Sequence, residues 1–161
     1  MDAQAHCLCG ELQWTAHFSK GKMPGQVLCH CVSLFHTPHQ RDSQALTPHP
    51  NHQMPCKMFG GGEYTVNMMV PKSDVKMTKG TPKVYTYTGE SGNPVDCFYC
   101  PNCTTHAYHH EKVLGDRYTM HSLLFEDDTL KHRPIEMELF GKHRMPYQPE
   151  IAKTYEVTDN S

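Results

Sequence analysis

An all-β fold of short antiparallel strands with few short helices is what this sequence predicts. Three observations carry that expectation. Apolar and polar residues alternate in several short runs, and Gly or Pro bounds those runs. No segment sustains a helical period beyond about two turns.

The elements follow in order. Residues 12–18 put Leu12, Trp14, Ala16 and Phe18 on one face, and Gln13, Thr15 and His17 on the other. Residues 64–70 form a strand run stopped by Pro71, which has no N–H to give to a ladder. Residues 83–88 are β-formers ending at Gly89, and residues 95–99 lead into a Cys-Pro turn. Residues 117–125 and 134–140 alternate again, with Ile135, Met137 and Leu139 on one side. Short helical pieces are expected near residues 57–60 or after Pro149. There are no internal repeats.

At 161 residues the chain reads as a single domain. A net charge of −2 and a pI of about 6.7 give no electrostatic reason to expect nucleic acid or an anionic membrane as partner. The apolar runs are far short of the roughly 20 residues a spanning helix needs. The N-terminal residues lack the basic and apolar regions of a signal peptide, so the expected location is cytoplasmic and reducing. In that setting eight clustered cysteines point to metal ligation rather than disulfides.

Seven of those cysteines fall in pieces with ligand spacing: Cys7-x-Cys9-Gly10, Cys29-His30-Cys31, Cys56, and Cys100-Pro101-Asn102-Cys103. A Cys-x-x-Cys turn containing Pro presents two thiolates to one point, and Cys-x-Cys does so from a tight bend. Two such half-sites, distant in sequence, close one tetrahedral structural zinc site. We pair Cys7 and Cys9 with Cys100 and Cys103. Cys97-x-x-Cys100 is a rival spacing, but the Pro101-Asn102 turn favours Cys100 with Cys103. Cys97 then reads as a small buried hydrophobe on a strand.

Residues 34–55 have a different composition from the rest. They hold four prolines and four histidines, at 36, 39, 49 and 52, in 22 residues without periodicity. We read them as an inserted, disordered loop, with a translated intron between Val32 and Gln53 as its origin. With this segment looped out, Cys29, Cys31 and Cys56 form Cys-x-Cys-x-x-Cys, a three-thiolate nest. Three protein ligands and one open position are the pattern of catalytic zinc.

These pieces resemble the glutathione-dependent formaldehyde-activating enzyme family, which includes centromere protein V. The resemblance rests on Cys7-Leu-Cys9-Gly10, Leu28-Cys29-His30-Cys31, Cys56-Lys-Met-Phe-Gly60, Gly80-Thr-Pro-Lys-Val-Tyr85 and Phe98-Tyr-Cys100-Pro-Asn-Cys103. The pieces span the first two-thirds of the chain in family order. The surroundings of Gly89-Glu-Ser-Gly-Asn-Pro94 and Tyr108-His-His110 look like fungal members. The resemblance implies a small β fold like that of the Rab exchange factor Mss-four. It also implies a structural zinc on Cys7, Cys9, Cys100 and Cys103, and a second zinc on Cys29, Cys31 and Cys56. The implied activity is a carbon–sulfur lyase forming or cleaving the glutathione–formaldehyde adduct or a related thiol adduct, with glutathione as small-molecule partner. The family reaches the third cysteine after two residues, so the insertion is a departure. It makes a disabled enzyme, or a non-catalytic zinc-stabilised binding module, the competing expectation.

Other residues carry weaker signals. His30 lies between two ligands and is expected to point away from them. His106, His109 and His110 can line a pocket, though strand alternation explains them as well. Gly60-Gly61-Gly62 lacks the Lys-Ser/Thr of a phosphate loop. Tyr64, Thr65 and Asn67 follow the nest and read as packing or substrate contacts. Glu90, Asp127 and Asp128 read as solvated turn residues.

Overall fold

A computed structural model describes residues 1–19, 23–31, 56–89 and 92–156. The segment 34–55 and Glu90 lie outside the described residues. The strands are β1 (Asp2–His6), β2 (Gln13–His17), β3 (Gln26–Cys29), β4 (Thr65–Pro71), β5 (Val75–Lys79) and β6 (Lys83–Thr88). They continue as β7 (Pro94–Tyr99), β8 (His106–Glu111), β9 (Arg117–His121), β10 (Ile135–Leu139) and β11 (Lys153–Tyr155). Two short helices, α1 (Cys56–Gly60) and α2 (Asp128–Lys131), complete the described regular structure together with 3₁₀ turns.

The strands form a three-stranded sheet, β1-β2-β5, and an eight-stranded sheet, β11-β10-β3-β4-β9-β8-β7-β6. Pairing is antiparallel except around β10, which runs parallel to both β3 and β11. The main core lies between the sheets. Ala3, Ala5, Trp14 and Ala16 of the small sheet meet Met68, Val70, Tyr108 and Met120 of the large one. Edge-to-face contacts of Trp14 with Tyr108 and of Phe18 with Phe125 lock the layers. The opposite face of the large sheet carries a second cluster: Val27, Cys29, Cys31, Cys56, Leu139 and Phe140. Period-two geometry explains the split, since Met68 and Val70 enter the main core while Asn67 and Met69 line a cleft beside Cys29.

Several expectations are corrected here. The run 117–125 is strand only to His121, because Ser122–Leu124 form a 3₁₀ turn whose Ser122 hydroxyl donates to the Val66 carbonyl at 3.1 Å. No helix follows Pro149 among the described residues. The Ile151 and Ala152 amides donate to Glu138 instead, and the chain continues into β11. Strand β3 was not foreseen because all four of its residues are buried, which erases alternation. Asp127 is more than a solvated turn residue, because it caps α2 by accepting from the Thr129 amide at 2.8 Å. Among the described residues no helix is long and apolar enough to cross a membrane.

Candidate metal centres

The first centre lies where the two sheets meet. Cys7 and Cys9 occupy the β1–β2 turn, where Gly10 donates its amide to the Cys7 carbonyl at φ +72°. Gly80 supports this turn from β5. Its φ is +73°, and a Cβ there would stand 2.3 Å from the Glu11 carbonyl oxygen, so only glycine fits. Cys100 and Cys103 occupy the β7–β8 turn, closed by Thr104 donating to the Cys100 carbonyl at 3.0 Å. The four sulfurs lie within 4.8 Å of one another. Cys7 and Cys9 are 3.5 Å apart, and Cys9 and Cys100 are 3.7 Å apart.

Polar groups already support negative sulfur at this centre. The Leu12 amide donates to the Cys7 sulfur at 3.3 Å, and the Thr105 hydroxyl lies 3.1 Å from the Cys103 sulfur. That hydroxyl, with the Thr105 amide, brings the Cys103 thiol down to about 5. Cys100 goes the other way, to about 11. The Cys103 amide lowers it, but burial and the neighbouring Cys7 and Cys103 sulfurs outweigh that pull. Four soft sulfurs converging from two turns fit a closed tetrahedral zinc site. Cys97 is buried on β7 and belongs to no described metal-ligand cluster.

The second centre is on the far face of the large sheet. Cys29 ends β3, Cys31 lies two residues on, and Cys56 begins α1. All three are buried, and their sulfurs lie within 4.8 Å of one another. Cys29 and Cys31 sulfurs are 3.4 Å apart. The Cys56 amide donates to the Cys31 sulfur at 3.3 Å, and the Lys57 amide donates to the Cys31 carbonyl. The Cys29 and Cys31 thiols hold the Cys56 thiol well below its usual range. Burial, with the Cys29 and Cys56 sulfurs, pushes Cys31 well above it. Burial and their mutual proximity set the three thiols against one another, and a dication would let all three ionise. Three buried thiols with no fourth protein donor in the described cluster fit an open zinc site.

His30 points away from the nest, as expected. Its Nε2 lies 2.8 Å from Glu138 Oε2, which also accepts from Arg144 at 2.9 Å. The Ile151 and Ala152 amides donate to Glu138 Oε1 at 2.6 and 3.1 Å. This buried carboxylate pins the residue between the two cysteine ligands. Burial alone would raise its pKa, but the Ile151 amide, His30, Arg144 and the Ala152 amide together bring it to about 2. Glu138→Gln is expected to cost about 3–5 kcal/mol, read as a lowered urea midpoint, because it takes the acceptor from buried His30 and part-buried Arg144. The sign with pH is also set. The folded value lies below the unfolded one, roughly 4.3. The stabilisation is thus full above that unfolded value and is lost as pH falls through about 2. That acid limb flattens in Glu138→Gln.

The other candidates divide. Thr65 is opposite Cys29 in the β3–β4 register and is buried, and Asn67 donates to its hydroxyl at 2.9 Å. Tyr64 is exposed and meets His30 edge-on. Gly60-Gly61-Gly62 only turns the chain from α1 into β4. His106 and His109 are buried together, whereas His110 is half-buried and bonds the Gly115 carbonyl at 3.0 Å. The partner of His106 and His109 is His121 of β9, a residue the sequence analysis did not single out. Burial lowers the His106 pKa to about 3 and the His121 pKa to about 4, in both cases aided by the charge of His109. No spacing rule in the chain links residue 121 to the other two.

The fold and its two sulfur clusters define a small β protein built around candidate thiolate metal centres. It belongs to the glutathione-dependent formaldehyde-activating enzyme family, whose model matches residues 40–143, more than half of the chain. A Rhodobacter sphaeroides protein of known crystal structure is similar at a TM-score of 0.50 and 14% identity, over 76% of this chain and 87% of that one. That likeness concerns the fold alone. No curated protein sequence matches the chain.

Proposed function

We propose that this chain is a zinc-dependent carbon–sulfur lyase that joins glutathione to formaldehyde, or cleaves the resulting S-hydroxymethylglutathione or a related thiol adduct. The observation that carries the reading is the meeting of Cys56 with Cys29 and Cys31 in a buried set of three. Family membership supplies the glutathione and formaldehyde chemistry. In this reading Cys29, Cys31 and Cys56 hold the reactive zinc, and Cys7, Cys9, Cys100 and Cys103 hold a structural one. Zinc at the open site supplies Lewis acidity and lowers the pKa of a thiol that joins it.

The reaction forms one bond, between the thiol sulfur and the carbonyl carbon, and the thiol proton ends on the former carbonyl oxygen. The chain's own contribution is to exclude water and orient the donors. Burial of the three cysteines does the first, and the Glu138–His30 anchor does the second. All eight cysteines are free of disulfides, which agrees with thiol-dependent chemistry in a reducing compartment.

Exchange between free and adduct formaldehyde, followed by NMR with glutathione and zinc-loaded protein, tests the reading. The expected result is exchange well above the spontaneous rate, with at least two zinc per chain. Exchange equal to the spontaneous rate would remove the named activity. It would then leave a zinc-stabilised binding module.

A further inference from the structure

We propose that His106, His109 and His121 form a further metal site, a three-imidazole centre for a first-row dication such as zinc, next to the three-cysteine nest. Their donor nitrogens lie within 4.8 Å of one another. His106 and His109 are buried, at 7% and 2% exposure. Both ring nitrogens of His106 and of His109, and Nε2 of His121, are buried without a hydrogen-bond partner. Buried polar atoms are almost always partnered, so five orphan nitrogens on three neighbouring rings, with one donor from each ring within reach of the others, call for a ligand. Neutral imidazole nitrogens suit zinc, copper and nickel.

The surroundings have the form of a supported metal site. His109 Nε2 lies 3.3 Å from the buried Glu111 carboxylate, an ion-pair contact without hydrogen-bond geometry. A carboxylate behind a ligating histidine fixes its tautomer and raises its basicity. Phe59 covers His106 at a ring separation of 5.1 Å. The backbone makes the cluster possible. Phe98 opposes Tyr108 while Tyr99 opposes His106, so Ala107 is an extra residue and β8 bulges there. Without the bulge, His106 and His109, three apart, would point to opposite faces. Bulges re-aim side chains in this way beside functional sites.

The neighbouring nest is close. Cys29 and His109 line one cleft, and α1 carries both Cys56 and Phe59. The two donor sets are opposite in character. Three neutral imidazoles leave a dication its full positive charge, whereas three thiolates over-neutralise it. The histidine centre would therefore favour oxygen ligands such as water or a carbonyl, beside a sulfur centre that favours thiols.

The inference does not depend on the lyase activity. Its test uses the protein produced in cobalt-supplemented or zinc-supplemented minimal medium, with metal counted by mass spectrometry. The expected result is three ions per chain. Two carry thiolate-to-cobalt charge-transfer bands, and one shows ligand-field bands alone. His121→Gln and His106→Gln should each lose that one ion and keep the charge-transfer bands. X-ray absorption of the zinc-loaded wild type should show imidazole scattering, to which the proposed all-cysteine sites contribute nothing, and this reading stands even where a variant does not fold. Two ions per chain without imidazole scattering, or His variants that keep the full complement, would overturn the proposal. Loss of the charge-transfer bands with imidazole scattering retained would instead remove the thiolate sites and leave the histidine site standing.

Discussion

Cys100→Ser is expected to unfold the protein near room temperature, seen as loss of the β signal in circular dichroism together with loss of one zinc per chain. The reason is mechanical as well as chemical. Cys7 and Cys9 sit at the end of the small sheet and Cys100 and Cys103 at a turn of the large one, so an ion held by all four would tie the two layers across the main core. A structural zinc contributes on the order of 10–16 kcal/mol of apparent binding free energy. A whole domain is stable by only about 5–15 kcal/mol. Losing one of four thiolates therefore removes a contribution comparable to the entire margin. Cys97→Ser is the matched control. Cys97 is equally buried but belongs to no cluster, so it should cost about 1–3 kcal/mol and keep the full metal content. A metal-depleted Cys97→Ser beside a folded, fully metallated Cys103→Ser would show that the rival Cys97–Cys100 pairing is the real one.

The second large effect concerns Cys56→Ala. This variant should stay folded, lose the zinc held with Cys29 and Cys31, and return glutathione–formaldehyde exchange to the spontaneous rate. Residues that merely support a metal ligand typically cost 10–100-fold, so removal of a ligand should exceed about 100-fold. The fold should survive because Cys56 lies at the start of α1, in the satellite cluster and outside the main core. Its loss also removes the thiol whose ionisation Cys29 and Cys31 favour. Exchange that persists in metal-depleted Cys56→Ala would place the chemistry elsewhere.

Much of the architecture was legible from local pattern, and its failures have physical causes. Alternation made β2, β9 and β10 readable, and β-forming runs bounded by Pro or Gly made β4 and β6 readable. Strand β3 is buried on both faces and β8 is bulged, and either condition destroys a period of two. The N-terminal strand β1 is five residues of mixed polarity whose only apolar positions are alanines, too weak a signal to stand out. The helical piece placed after Pro149 gave way to a buried carboxylate. Glu138 takes the amides of Ile151 and Ala152, so the segment is held by a distant side chain rather than by its own ladder.

The sulfur groups were legible because ligand spacing is a local property. Cys-x-Cys and Cys-x-x-Cys turns announce themselves, and eight free cysteines leave few ways to distribute them. The histidine cluster was not. Spacing suggested His106, His109 and His110 as a set, but the bulge at Ala107 and the register of β9 replaced His110 with His121.

The amino-acid sequence alone determined the β class and the donor spacing of the cysteine turns. Each is written in short-range alternation or in donor spacing, which survive without knowledge of the neighbours. Only the tertiary structure decided that Cys56 reaches Cys29 and Cys31 and that three histidines from two strands converge. Strand order, register and a one-residue bulge place those side chains, and all three are set by packing between segments far apart in the chain.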